Sequence, residues 1–300
     1  MSTENINKKV ILSVIMPVYE GENFLEETIN CILRQTFRDF ELVILDNQSK
    51  DNSQKIIKSF QLKDEKIKYI YDTKKRNGND CFSELMKHTS GKYLIVVNDD
   101  NYLDNNFFKT LLEKIQNTKS DMVVCNGRYI DEFKNEKKKF FDRESYFKGK
   151  PNIFKIIKFF LKGDVIPLIL PSIMLSETYK KMLPYLNLSK FENDADTLMG
   201  IKILSNLSIE SDDGLLFFCR VYDAHKRHHD NKLPSNFFNN LIEKIKHDLN
   251  LLSHCIKEIY LSKINYLSKI ILIIFFPFLL IIKRLKNIIY EFMGKLKNFI

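Results

Sequence analysis

Tryptophan is absent from this 300-residue chain, and glycine (9) and proline (7) are sparse; 24 phenylalanines and 13 tyrosines carry the aromatic bulk. Hydrophobic residues make up 44% and charged residues 28%, a balance that excludes disordered and collagen-like classes. The five cysteines (Cys31, Cys81, Cys125, Cys219, Cys255) lie 36 to 94 residues apart with no CxxC pair. Neither a zinc site nor a redox pair is suggested, and scattered single thiols fit a reducing cytosol. The first nine residues are mainly polar and no signal-peptide core follows them, so the chain is expected on the cytosolic side. No apolar run reaches the roughly 20 residues of a membrane-spanning helix. No internal repeat is visible. The formal charge is +9, but residues 262–300 alone hold seven lysines and arginines against Glu291, a local +6. The rest of the chain is nearly balanced, so a nucleic-acid-binding surface is not expected.

What the chain does contain is alternation. Val10–Met16 is apolar and β-branched and is stopped by Pro17; Phe24, Leu25, Ile29, Ile32 and Leu33 then recur at helical spacing behind acidic Glu26 and Glu27. Phe40–Leu45, Ile67–Tyr71, Tyr93–Val97 and Met122–Cys125 read as further buried strands. Asp51–Phe60, a segment around Phe82, Leu85 and Met86, and Asp104–Gln116 read as the helices between them. Such alternation predicts a mostly parallel sheet flanked by helices. Lysine-rich residues 131–150 lack periodicity and read as a solvated loop. Residues 235–256 read as a helix.

Open α/β sheets bind ligands at the carboxyl ends of their strands. Here those ends are Pro17-Val18-Tyr19-Glu20, Asp46-Asn47, Asp72 and Asn98-Asp99-Asp100-Asn101. Acidic residues are common in ordinary turns, but carboxylates at three of four strand ends point to a site. No glycine-rich phosphate loop follows the first strand, which argues against nucleotidyl transfer.

Ser13–Tyr19, Leu33-Arg34-Gln35-Thr36-Phe37, Phe40–Asp46, Ser49-Lys50-Asp51-Asn52-Ser53, and Ser90–Tyr93 leading to Asn98-Asp99-Asp100 follow one another in an order that resembles glycosyltransferase family 2, whose members have the GT-A fold. The resemblance is strong over residues 10–125, patchier to about 230 and absent beyond. It implies a GT-A domain over 1–230, with a nucleotide-binding half (10–125) and an acceptor half (126–230). A helical, amphipathic extension over 231–300 completes the expected organisation.

The resemblance also implies roles. Pro17 and Tyr19 would pack on the donor's base and ribose, with Glu20 beside them, and Asp46 would accept from a uracil edge. Asn98 and Asp99 would face ribose and phosphate. Asp100, with Asp99, would ligate a divalent cation, Mn2+ or Mg2+, whose hard oxygen ligation suits carboxylates. Asp194, in Phe191-Glu192-Asn193-Asp194-Ala195-Asp196, matches the catalytic-base position and implies inversion at the anomeric carbon; its simpler reading is a helix cap. The implied activity is metal-dependent transfer of a sugar from a nucleoside diphosphate, UDP above all, to a glycan or lipid-linked acceptor in surface-polysaccharide synthesis. Asn98, Glu20, Asn47 and Tyr222 depart from the family pattern and support the alternative, a catalytically degraded binding protein. His225, His228, His229 and Asp230 form a second, weaker metal-like cluster.

Ile270–Ile282 is a 13-residue apolar run between Lys269 and Lys283-Arg284, and Leu285, Ile288, Ile289, Phe292, Leu296 and Phe299 continue on one helical face. This pattern predicts an in-plane interfacial helix on anionic lipid at the inner face of the cell membrane; a helical oligomer interface is the competing expectation.

Overall fold

A computed structural model describes residues 10–139, 148–162, 171–186, 195–221 and 237–297. Its sheet comprises β1 (Leu12–Val18), β2 (Phe40–Asp46), β3 (Ile67–Tyr71), β4 (Tyr93–Val96), β5 (Tyr102–Leu103), β6 (Met122–Ile130), β7 (Glu136–Lys139), β8 (Ser172–Leu175) and β9 (Ile209–Arg220). The strand order is β3-β2-β1-β4-β8-β6-β9-β5, with β7 paired to β6. β1 to β4 are mutually parallel. β8 runs antiparallel to both β4 and β6, so β6 points the same way as the parallel strands. All seven residues of β2 are buried, as a central strand covered on both faces requires.

Helices α1 (Leu25–Leu33), α2 (Ser53–Gln61), α3 (Gly78–Lys87) and α4 (Phe107–Thr118) follow β1, β2, β3 and β5. In α1 the buried Leu25, Thr28, Ile29 and Ile32 form the stripe that covers the sheet, and Glu26 and Glu27 sit in its first turn, where the helix dipole favours negative charge. α3 starts where the Asn77 side chain accepts from the Asp80 backbone N–H at 2.8 Å.

A buried polar chain fixes the other end of the sheet. Ser13 Oγ donates to Glu41 Oε1 at 2.5 Å and accepts from Gly91 N at 2.8 Å, while Ser90 N donates to the same Glu41 oxygen at 2.6 Å. Lys68 pairs with Glu41 Oε2 at 2.5 Å. A Cβ at Gly91 would stand 2.5 Å from Ser13 N, so only glycine permits this approach.

Two compact units result: Met1–Glu144 with Ile169–Asn187 and Glu210–Asp223, and Ser145–Leu168 with Leu188–Ile209 and Ala224–Ile300. The first holds the sheet. The second contains α5 (Ile153–Lys162), α7 (Ala195–Asn206), α8 (Phe237–Leu261) and α9 (Tyr266–Lys297); α6 (Ser176–Leu186) belongs to the first. In the second unit α9 packs on α5 and α8, and α7 packs on α5 and α8. Lys202 and Glu258 form a buried ion pair at 2.8 Å there.

The lysine-rich segment departs from expectation: Glu136–Lys139 is strand β7, antiparallel to β6. Asp131 Oδ1 accepts from Phe133 N and Asn135 N at 2.9 and 2.8 Å, and Lys134 takes the left-handed φ of 66° that closes the turn. The strand escapes a periodicity reading because its four residues, Glu-Lys-Lys-Lys, carry no apolar face.

Candidate functional site

Strand register gathers the expected site residues at one edge. Val18 pairs with Asp46 and Asp46 with Tyr71, while the β1–β4 ladder ends at Ile15↔Val96. Asn98–Asp100 therefore emerge level with the end of β1. The connection from β1 leads to β2 on one side, and β4 lies on the other. This is the topological switch point at which open α/β sheets form their binding crevice.

The loop after β1 is held by the loop after β2. Glu20 N donates to Ser49 Oγ at 2.9 Å, Gly21 N to Ser53 Oγ at 3.0 Å and Glu22 N to Asp51 Oδ2 at 2.9 Å. In return, Asn52 N and Nδ2 donate to Glu22 Oε2 at 2.9 and 2.8 Å. Burial pushes the Asp51 carboxyl up, but the donors from Ser53 and Glu22 outweigh it and hold the group below its usual value. Glu20 is exposed and left-handed, with φ 52°, and turns the chain sharply after Tyr19. Gly21 then lies against Asp99: a Cβ at this position would be 2.5 Å from Asp99 Oδ2. The ends of β1 and β4 thus touch.

The 98–101 turn is supported from beneath. Asn101, fully buried, accepts from Asn98 N at 2.9 Å and donates from Nδ2 to Asp100 Oδ1 at 3.1 Å. Thr28 Oγ1, on α1, shares its hydrogen between the carbonyls of Asp99 and Asn101, both at 2.9 Å. Arg220, at the end of β9, has no exposed side-chain surface. It donates from Nη1 to the Asp100 carbonyl at 3.2 Å, pairs with Glu27 and lies 4.3 Å above the Phe24 ring centroid. Glu27 also pairs with Lys134. Burial pushes the Glu27 carboxyl up, but Lys134 and Arg220 together hold it below its ordinary value. Asn98 and Asp99 are half-buried and Asp100 is buried.

On the β2–β3 side, Asp46 is fully enclosed; Oδ1 accepts from Ser49 N at 2.8 Å and Oδ2 from Tyr69 Oη at 3.2 Å. Its acceptors are turned to the protein, so in this arrangement it staples the β2 turn. Burial, followed by the neighbouring Asp46 carboxylate, pushes the Tyr69 phenol up to about 12. Asn47 accepts from Arg76 N and donates to Arg76 O, both at 2.8 Å, tying the 73–77 loop to the site edge. Arg76 pairs with Asp72, and this partner above all raises the guanidinium above its ordinary value. Tyr19, 38% exposed, presents its ring to the Lys75 ammonium 5.0 Å from the centroid. Pro17 is half-buried at the floor of this corner.

Pro17, Tyr19, Glu20, Asp46, Asn98, Asp99 and Asp100 thus share one edge of the sheet. Gly21, Thr28 and Glu27 were not legible as site residues, whereas Asn101 belongs to the acidic strand end that the sequence singles out. Gly21 alone offered a signal, a glycine directly after the first strand; Glu27 and Arg220 are 193 residues apart. Asp194, Tyr222, His225, His228, His229 and Asp230 lie outside the described residues. Among the described residues, no group of three or more His, Cys, Asp or Glu is arranged to hold a metal ion. A pair of hard carboxylates completed by substrate phosphate oxygens remains the arrangement that suits Mg2+ chemistry.

A family model described as Glycosyl transferase family 2 matches residues 13–175. Over 222 residues the chain is 30% identical to the uncharacterized glycosyltransferase RT0329 of Rickettsia typhi, covering 71% of this chain and 65% of the relative. It is also 30% identical, over 34% of each chain, to the GalNAc(5)-diNAcBac-PP-undecaprenol beta-1,3-glucosyltransferase of Campylobacter jejuni. The chain spans less than two thirds of the length of these curated relatives. The crystal structure of S. aureus TarS 1–349 in complex with UDP-GlcNAc superposes with a TM-score of 0.64 at 17% identity, covering 86% of this chain and 69% of that one. At that identity the likeness speaks for the fold, which is the expected GT-A arrangement.

Proposed function

This chain belongs to glycosyl transferase family 2, and we propose that it transfers a sugar from a nucleoside-diphosphate donor, UDP-linked, to a hydroxyl of a glycan or lipid-linked acceptor in surface-polysaccharide synthesis. The observation that carries the proposal is the meeting of Gly21 and Asp99 at the β1/β4 switch point, which sets an acidic turn beside the Tyr19 corner. Two relatives' names add support: one acts on an undecaprenol-linked glycan and one was crystallised with UDP-GlcNAc.

In this reading Tyr19 and Pro17 receive the base and ribose, Asn98 and Asp99 face ribose and phosphate, and Asp100 with Asp99 would hold Mn2+ or Mg2+. The residues fit such an ion because both offer hard oxygen ligands and because Asn101, Thr28 and Arg220 fix the turn that carries them. The cation, when bound, offsets charge that gathers on the departing diphosphate. Glu20 stays at the mouth of the crevice, and Asp46 acts through the β2 turn. Asp194 is the proposed general base for an inverting transfer, on the resemblance alone. The proposed organisation is a donor half (10–125), an acceptor half (126–230) and a helical extension (231–300) that serves a peripheral position on the inner membrane face.

The test is calorimetric titration of UDP and UDP-GlcNAc into the protein, with and without Mn2+, followed by release of UDP from the sugar nucleotide. Binding strengthened by Mn2+, with slow UDP release, is expected. Binding without release favours the degraded-site alternative, and no binding of any nucleoside diphosphate overturns the donor reading.

A further inference from the structure

We infer that one face of α9 is a membrane-docking surface, lying in the plane of an anionic bilayer with its apolar stripe among the acyl chains. The inference rests on, and deepens, the peripheral placement proposed above. Leu267, Ile270, Ile274, Phe275, Phe278 and Ile281 are 38% to 67% exposed and recur at the three- and four-residue spacing of a single helix face. The opposite face is spent: Leu272, Phe276 and Leu279 are buried, and the helix packs on α5 and α8. The helix is therefore clamped to its own unit, and the outward stripe has no further face of the same helix against which to fold.

The stripe from Leu267 to Ile281 extends about 21 Å at 1.5 Å per residue. Two phenylalanines and four aliphatic side chains, each a third to two thirds exposed, follow one another along this stripe, and large apolar residues exposed together in this way mark an interaction surface. In sequence the same spacing continues through Leu285, Ile288 and Phe292. Among the described residues no helix is long and apolar enough to cross a membrane, so the stripe suits lying on a bilayer rather than traversing it.

Charge complementarity selects lipid over a second copy of the chain. Residues 262–300 carry seven basic residues and one acidic. Two copies of this segment would bring a net +6 against +6, whereas anionic phosphatidylglycerol headgroups attract it. Lys263 is exposed just before α9, and Lys269 donates to the Tyr260 carbonyl at 2.8 Å at its first turn.

The chain has no tryptophan, so Phe278→Trp makes a sole indole reporter on the stripe without changing its character. Full-length Phe278→Trp is mixed with vesicles of phosphatidylcholine alone or with 30% phosphatidylglycerol. The expected result is a blue-shifted emission and quenching by brominated acyl chains with the anionic vesicles only, reversed by high salt. Flotation of the native chain with those vesicles should be lost in Ile274→Glu/Phe278→Glu. Unshifted emission overturns the inference. So does light scattering that shows a dimer in which the indole is already blue-shifted without lipid. UDP titration of the native chain and of Ile274→Glu/Phe278→Glu separates this from the transfer reading. In the native chain, UDP binding without flotation keeps the donor site and removes the surface, and flotation without UDP binding does the reverse; the double variant should bind UDP as the native chain does while failing to float.

Discussion

Gly21 and Asp99 touch across the switch point of the sheet: a Cβ on the glycine would stand 2.5 Å from the Asp99 Oδ2. Gly21 N is itself held by Ser53 Oγ at 3.0 Å, so the backbone has little room to retreat. In Gly21→Ala the Asp99 carboxylate must swing away while the core stays intact. UDP binding in the presence of Mn2+ is expected to weaken about tenfold, about 1.4 kcal/mol, by calorimetry. Native affinity in a variant of native Tm would remove Asp99 from the donor site.

Arg220 provides a second, longer-range tie. Its guanidinium reaches the Asp100 carbonyl, Glu27 and the Phe24 ring from full burial. Arg220→Met leaves that carbonyl without this donor and Glu27 without one of its two cations. A loss of about 2 kcal/mol is expected, the scale of a hydrogen bond to a charged group. Arg220→Lys should recover only part, because an ammonium cannot span three partners as the planar fork does. Urea denaturation compares the three proteins; equal midpoints would show that the 98–101 turn stands without Arg220.

The Glu41 cluster predicts the acid limb of stability. Burial pushes this carboxyl up, but Lys68, Ser13 and Ser90 outweigh it and hold it below its usual 4.5. A carboxyl depressed in the folded state stabilises fully above its unfolded pKa, and that contribution fades as pH falls below about 4.5 toward the folded value. Glu41→Gln should therefore cost about 1–3 kcal/mol at pH 7, as expected for disrupting a buried charged hydrogen-bond centre. The gap should narrow as the pH drops below about 4.5. Melting curves of both proteins across pH 3.5–7 test this, and a constant gap would place the acid sensitivity elsewhere.

Asp194→Asn separates chemistry from binding. A general base contributes about 10²–10⁴-fold to rate, so transfer and slow UDP release should fall by that range while UDP affinity holds. A variant that turns over at the native rate would leave Asp194 as a helix cap.

The parallel half of the sheet was readable because each strand is a short β-branched run ended by a polar turn, and four such runs pointed one way. Their spatial order was not readable. Nothing in the sequence states that β1 lies between β2 and β4, yet that placement makes Gly21 meet Asp99. Nor do the four residues of β8, Ser-Ile-Met-Leu, announce an antiparallel insertion between β4 and β6. The acidic strand ends were legible as a group, whereas their individual duties were not. Asp46 carries the same charge as Asp100 in sequence, but Tyr69 and Ser49 turn its oxygens inward. Thr28 and Glu27 look like ordinary helix residues until tertiary contact sets them, with Arg220, under the acidic turn.

Asp100 carries the sharpest remaining consequence. It is buried, its Oδ1 accepts from Asn101 Nδ2 at 3.1 Å, and its carbonyl is held by Arg220, so its carboxylate is fixed in place. Asn98 leaves this turn one negative charge fewer than its family pattern, so the proposed cation would rest on Asp99 and Asp100. Asp100→Asn preserves the shape and removes a hard anionic ligand. Mn2+ affinity in the presence of UDP should fall at least about tenfold, the lower end of what losing even an outer partner costs a metal site. UDP binding measured in EDTA should be unchanged. The electron paramagnetic resonance signal of free Mn2+ reports the bound fraction directly. If native and Asp100→Asn proteins bind equal Mn2+, the cation is held by other residues; if neither binds any with UDP present, the proposed cation site at this turn falls.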